Sequence, residues 1–137
     1  MLVIDVETTG LDPNKYSIIS VGAVDFDDPQ RQFYGECKVW DGALVSKEAL
    51  KVNGFTEEEA RSQSKKTLTE VMHEFKKWID VSGKITLAGQ NPAFDRDFLN
   101  DSFRRAGIDF KFAIIKSLFI LAMLRTEIPF GHSASQA

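Results

Sequence analysis

The chain opens on an apolar, β-branched run that carries two acids, Leu2-Val3-Ile4-Asp5-Val6-Glu7-Thr8-Thr9-Gly10. Few folds accommodate such a segment. Its composition calls for a buried strand, and on a strand residues i and i+2 project from the same face. Asp5 and Glu7 therefore stand side by side on a segment that otherwise seeks burial. Two adjacent buried carboxylates repel unless a positive group sits between them. A divalent cation with oxygen ligands is the natural compensator. The alternative is a frayed strand end with both acids in water.

A second segment bears on that choice. Ile85 to Ala88 has the character of a short buried strand, broken by Gly89. Asn91 suits an N-cap and Pro92 the first position of a helix. Phe94 and Phe98 then fall at i, i+4, with Leu99 and Phe103 on a neighbouring line, which predicts a helix with a buried aromatic face. Asp95 lies in its first turn, on the flank of that face. Strand, tight turn and helix thus form a device able to aim a third carboxylate at the first two.

Asp5-Val6-Glu7-Thr8-Thr9-Gly10 and Gly89-Gln90-Asn91-Pro92-Ala93-Phe94-Asp95-Arg96-Asp97-Phe98-Leu99 resemble the first two motifs of the DEDD, or DnaQ-like, 3′–5′ exonucleases of the ribonuclease H-like superfamily. Val52-Asn53-Gly54-Phe55-Thr56 is similar to the family's short segment before the middle helix. The resemblance covers about residues 1–110. It implies an α/β fold with a ribonuclease H-like mixed sheet flanked by helices. It also implies a two-metal hydrolysis of phosphodiesters at the 3′ end of a single-stranded nucleic acid, with Mg²⁺ or Mn²⁺ as cofactor. In that scheme Asp5 bridges both metals, Glu7 helps hold the one on the nucleophile side, and Asp95 holds the second. Thr8, Thr9 and Leu11 match positions that grip the terminal nucleotide. Asn91 and Phe94 are further candidates for substrate contact, although N-capping accounts for Asn91 and core packing is the preferred reading of Phe94.

The family also uses a fourth carboxylate and a general-base histidine near the C-terminus. The acids after Asp95 are Asp97, Asp101, Asp109 and Glu127, and none follows a histidine by five residues. His132 is the one histidine after Asp95, and Ala137 occupies the place of the acid. Either the third motif is degenerate, or Gly131-His132-Ser133 precedes the true motif and the chain ends early. The second reading is preferred, because the family domain carries further helical structure, so the C-terminal part is expected to be incomplete. A catalytically inactive module that binds nucleic acid or a protein is the alternative function.

A chain of 137 residues with 43% hydrophobic and 27% charged residues is expected to form one domain over 1–137, with motifs in 1–110 and an atypical segment over 111–137. The net charge of −3 argues against tight duplex binding through a basic surface. One cysteine, Cys37, excludes an internal disulfide framework and is expected half-buried on a strand. No secretory signal is evident, so a cytoplasmic location is expected.

The expected layout is a meander of strands over about 2–7, 17–26 and 32–39, with a hairpin turn at Asp27-Asp28-Pro29-Gln30. A short helix capped by Ser46 follows. Capping boxes at Thr56/Glu59 and Thr67/Glu70 start two more, the second with Leu68, Val71, Met72, Phe75, Trp78 and Ile79 on one face. His73 on that helix is expected at the surface. Residues 112–124 are apolar apart from Lys116 and Ser117, which predicts a helix buried on all sides. The run is too short for a membrane span and is also a candidate surface for self-association.

Overall fold

The computed structural model describes residues 1–117. Their elements run β1 (Leu2–Thr8), β2 (Ile18–Asp25), β3 (Asp28–Glu36), α1 (Lys47–Asn53), α2 (Glu57–Ala60), α3 (Leu68–Ser82), β4 (Thr86–Gly89), α4 (Pro92–Arg105) and β5 (Ile114–Ser117). The strands form one mixed sheet in the order β3-β2-β1-β4-β5. β1 pairs antiparallel with β2 and parallel with β4, so the acid-bearing strand is central.

Alternation along β1 sorts its side chains. Leu2, Ile4 and Val6 enter the main core, where they meet Val71, Met72, Phe75 and Ile79 of α3 and Phe98, Leu99 and Phe103 of α4. Aromatic rings knit that layer: Phe75 lies 5.0 Å from Phe33 and 6.1 Å from Phe103, between ring centroids. Val3 goes to the other face, with Val24 and Ala88. Asp5 and Glu7 share that second face by the same alternation.

Both capping boxes form. Thr56 and Thr67 accept from the N–H groups of Glu59 and Glu70, whose carboxylates accept from the cap N–H groups in return. Each such cap is worth about 1 kcal/mol. Ser46 caps α1 through the N–H of Ala49. At the far end of the sheet, Lys84 donates to both oxygens of buried Asp25 at 2.7 and 2.9 Å. Burial alone would raise that carboxyl. The Lys84 bonds and charge, the Asp27 N–H and the N-terminal ammonium outweigh it and hold Asp25 below the ordinary range.

Four expectations are corrected. Residues 114–117 are a strand, not part of a helix. They pair in parallel with β4 at the sheet edge, and Ile114 is 47% exposed. A short apolar run has no period that separates strand from helix, and here pairing with β4 decides. Phe112, at the start of the apolar run, is buried in the main core, while residues 118–124 of the run, and His132, lie outside the described residues. The β2–β3 turn sits at Phe26–Asp27, where the Asp27 N–H bonds the Asp25 carboxylate, and Pro29 is within β3. Pro29 is tolerated because β3 is an edge strand. Cys37 is fully buried just beyond β3, with its thiol donating to the Ile18 carbonyl and pushed up by burial to about 12. Asn91 occupies the N-cap position of α4 but makes no side-chain capping bond. His73 is at the surface as expected.

Candidate active site

The site is assembled on β1 and the first turn of α4. On the face shared by Val3, Asp5 and Glu7, the residues directly opposite on β2 are Val24, Gly22 and Ser20. Gly22, opposite Asp5, adds no side chain to that face, and Ser20, opposite Glu7, adds a small one. Sequence reasoning missed Gly22 and Ser20, since their role depends on register.

Asp95 reaches β1 from α4. It is 5% exposed, and its Oδ1 accepts from the Val6 N–H at 3.3 Å. The approach depends on Gly89, the last residue of β4. A β-carbon there would lie 2.9 Å from Asp95 Oδ2 and 3.0 Å from the Ile4 carbonyl oxygen. Gly89, read from the sequence only as a strand breaker, is therefore a cradle for the third carboxylate. Gly89→Ala is expected to displace Asp95, with an overpacking cost of roughly 1–3 kcal/mol. Thermal melts and a Mn²⁺ titration check this; an alanine variant that matches the wild type in both contradicts it.

The electrostatics are those of acids held together against their repulsion. Burial, reinforced by the charge of Asp5, pushes Glu7 up to about 7. Burial also pushes Asp95 up to about 7, with Asp5 and then Glu7 adding to it and the Val6 N–H opposing. Each of the three acids feels another. Among the described residues, no three His, Cys, Asp or Glu side chains converge closely enough to form a ready-made coordination cluster. The donor set nevertheless suits a hard divalent cation, being all oxygen and anionic.

The other sequence candidates divide. Leu11 is 83% exposed and Val52 82%. They flank a cleft of about 360 Å³, lined also by Gly10, Tyr16, Ser46 and Ala49, that opens just beyond the acid-bearing strand. Gly10 lies against the Tyr16 ring so closely that no side chain fits between them. The Thr8 hydroxyl donates to the Gly10 carbonyl at 2.6 Å and shapes that turn. Thr9 is fully buried. Its hydroxyl donates to the Leu44 carbonyl and accepts from the Ser17 N–H, while its own N–H donates to Ser17. Its donors are thus spent inside the protein, and its observed role is to lock the end of β1. Asn91 is exposed in the turn before α4, and Phe94 is half-buried, packed 4.9 Å from Phe98. Of the later acids, Asp97 pairs with Arg96, and Asp101 with Arg104 and Arg105.

A mixed sheet of this order, with acids on its central strand and a third in the first turn of α4, is a ribonuclease H-like fold. A family model described as Exonuclease matches residues 2–133. The chain belongs to that family, within the DEDD group that its motifs resemble. The 3′–5′ DNA exonuclease Cap18 of Escherichia coli is 32% identical over 104 residues, covering 73% of this chain and 54% of Cap18. The PolC-type DNA polymerase III of Thermotoga petrophila is 29% identical over 124 residues, covering 90% of this chain and 9% of that protein. Among solved structures, the zinc-bound form of the E. coli exonuclease I complex with single-stranded DNA superposes with a TM-score of 0.72 at 21% identity. It covers 88% of this chain and 28% of that one. Product-bound exonuclease I gives 0.70, also at 21% identity. The chain spans about half of Cap18 and less of the others. Among the described residues, no helix is long and apolar enough to cross a membrane.

Proposed function

We propose that this chain carries the catalytic carboxylates of a metal-dependent 3′–5′ exonuclease acting on single-stranded nucleic acid. The observation that carries the reading is that Asp95, set over Gly89, accepts from the N–H of Val6, the residue between Asp5 and Glu7, so that α4 brings a third carboxylate to the acid-bearing strand. Asp5, Glu7 and Asp95 would hold Mg²⁺ or Mn²⁺, which when bound supplies a hydroxide near neutral pH and stabilises the leaving 3′-oxygen. The chain itself does the positioning. Gly89 and the Val6 N–H fix Asp95, and the Thr9 bonds fix the end of β1. The exposed Leu11 and Val52 offer apolar surface to a terminal base, beside the polar edge of the cleft at Asp12, Ser46 and Glu48. Printed descriptions of the neighbours support the substrate class: exonuclease I is described in complex with single-stranded DNA, and Cap18 as a DNA exonuclease.

A second reading, an inactive binding module of the same fold, draws on one observation. Among the described residues no fourth acid joins the three, and the histidine there, His73, is exposed on α3. A single-stranded oligonucleotide labelled at its 3′ end separates the two. Loss of label that requires Mn²⁺ or Mg²⁺ and stops in chelator is the expected result. Binding of the oligonucleotide without loss of label would favour the inactive module.

A further inference from the structure

Helix α1 forms one wall of the cleft through Ser46, Glu48, Ala49 and Val52, and it is fastened to the acid-bearing strand at both ends. At its start, the Ser46 N–H donates to the Thr9 carbonyl at 2.7 Å. At its finish stands Asn53, 4% exposed. The Asn53 Nδ2 donates to the Thr8 carbonyl at 2.9 Å, and its Oδ1 accepts from the Phe55 N–H at 3.1 Å. A side chain that is polar, buried and bonded through both ends of its amide is costly to replace. Thr8 is where the β1–β2 register shifts, between Glu7 and Thr8. The backbone there leaves the regular ladder, and the ladder alone does not set the direction in which Glu7 points.

We infer that Asn53 is a positioning residue for the carboxylate site, holding the Thr8 carbonyl and with it the metal-facing end of β1. It touches neither substrate nor metal. By clamping α1 to Thr8 it makes the cleft wall and Glu7 one rigid unit, so that a base lodged against Val52 is set at a constant distance from the acids. The inference rests on the exonuclease reading of those acids. Loss of a partner that orients metal ligands costs about 10–100-fold in metal affinity, and the Asn53 bond, one step back on the main chain, belongs at the lower end.

Two substitutions isolate that bond. Asn53→Ser is too short to reach Thr8, yet its hydroxyl can still accept from the N–H two residues on and keep the local turn. Asn53→Ala loses both bonds. The readout is Mn²⁺ binding by calorimetry on folded protein, below the melting temperature of each variant, beside Asp5→Ala. Weakening by about tenfold in both Asn53 variants, with Asp5→Ala weaker still, is the expected result. Weakening in Asn53→Ala alone would assign the effect to the turn and overturn the inference, as would wild-type affinity in both. If Asp5→Ala binds Mn²⁺ like the wild type, the exonuclease reading itself fails, and that outcome is distinct from the others.

Discussion

Replacing Asp5 by alanine is expected to lower metal-dependent 3′-end degradation by at least roughly 10²–10³-fold, the scale for removing one electrostatic element from a reaction centre. It is also expected to change how the metal-free protein responds to pH. Asp5 contributes to the elevation of both Glu7 and Asp95, each of which stands at about 7. An acid whose affinity for protons is raised by folding keeps its proton in the native state over a window where the unfolded chain has lost it. For these two groups the window runs from the ordinary values of 4.5 and 3.8 up to about 7. Across it the native state binds more protons, so stability falls as pH rises. In chelator, melting temperatures of the wild type should decline from about pH 5 to about pH 7, and saturating Mn²⁺ should reverse the decline by binding the ionised carboxylates. With Asp5 removed, the slope in chelator should be shallower and the Mn²⁺ rescue smaller. An equal slope in the two proteins would mean that Asp5 does not drive the elevation. Undiminished degradation would remove Asp5 from the site altogether.

The fold was legible wherever a local pattern is tied to one structure. Thr67 with Glu70 followed by an apolar stripe can hardly be anything but a helix start, and α3 begins there. Alternation in Leu2 to Glu7 placed Asp5 and Glu7 on one face, and the register with Gly22 and Ser20 is consistent with it. Legibility ended where an outcome depends on distant partners. Ile114 to Ser117 became a strand because β4 offers an unpaired edge, which no property of the segment announces. Asn91 has the composition of a cap, yet only its backbone carbonyl serves, accepting from the Phe94 and Asp95 N–H groups, with Pro92 at the first helical position.

The acids of the candidate site can be picked out of the sequence, whereas the residues packed around them cannot. Asp5, Glu7 and Asp95 stand out because carboxylates in apolar runs need an explanation. Gly89 and Asn53 do not stand out. A glycine after a strand reads as a break, and an asparagine before Gly54 reads as a helix terminus. Only the 2.9 Å approach of Asp95 to a side chain at Gly89, and the 2.9 Å bond from Asn53 to Thr8, give them a function. Thr9 shows the converse. Its place in a motif suggested a grip on the terminal nucleotide by backbone and side chain, and in the structure its hydroxyl bonds Ser17 and Leu44.

The other large effect is expected from a residue with no part in the chemistry. Phe103 is fully buried in α4 and lies at the centre of the aromatic layer, with ring centroids 6.1 Å from Phe75, 5.2 Å from Phe110 and 6.4 Å from Phe112. Through it the helix that carries Asp95 is packed against α3 and against the segment leading to β5. Phe103→Ala leaves a cavity that three rings cannot close together, and a loss of about 3–5 kcal/mol is expected. That is a large fraction of the roughly 5–15 kcal/mol that stabilises a domain. Asp95, however, sits eight residues earlier, about 12 Å along the helix axis, and is fixed locally by Val6 and Gly89. Folded Phe103→Ala should therefore bind Mn²⁺ with nearly wild-type affinity while melting far sooner. Urea denaturation beside a Mn²⁺ titration at low temperature separates the two. Should Mn²⁺ affinity collapse in molecules that remain folded, α4 would have to be held in place by its core face rather than by its first turn. The local cradle around Asp95 would then be a consequence of helix packing and not its cause.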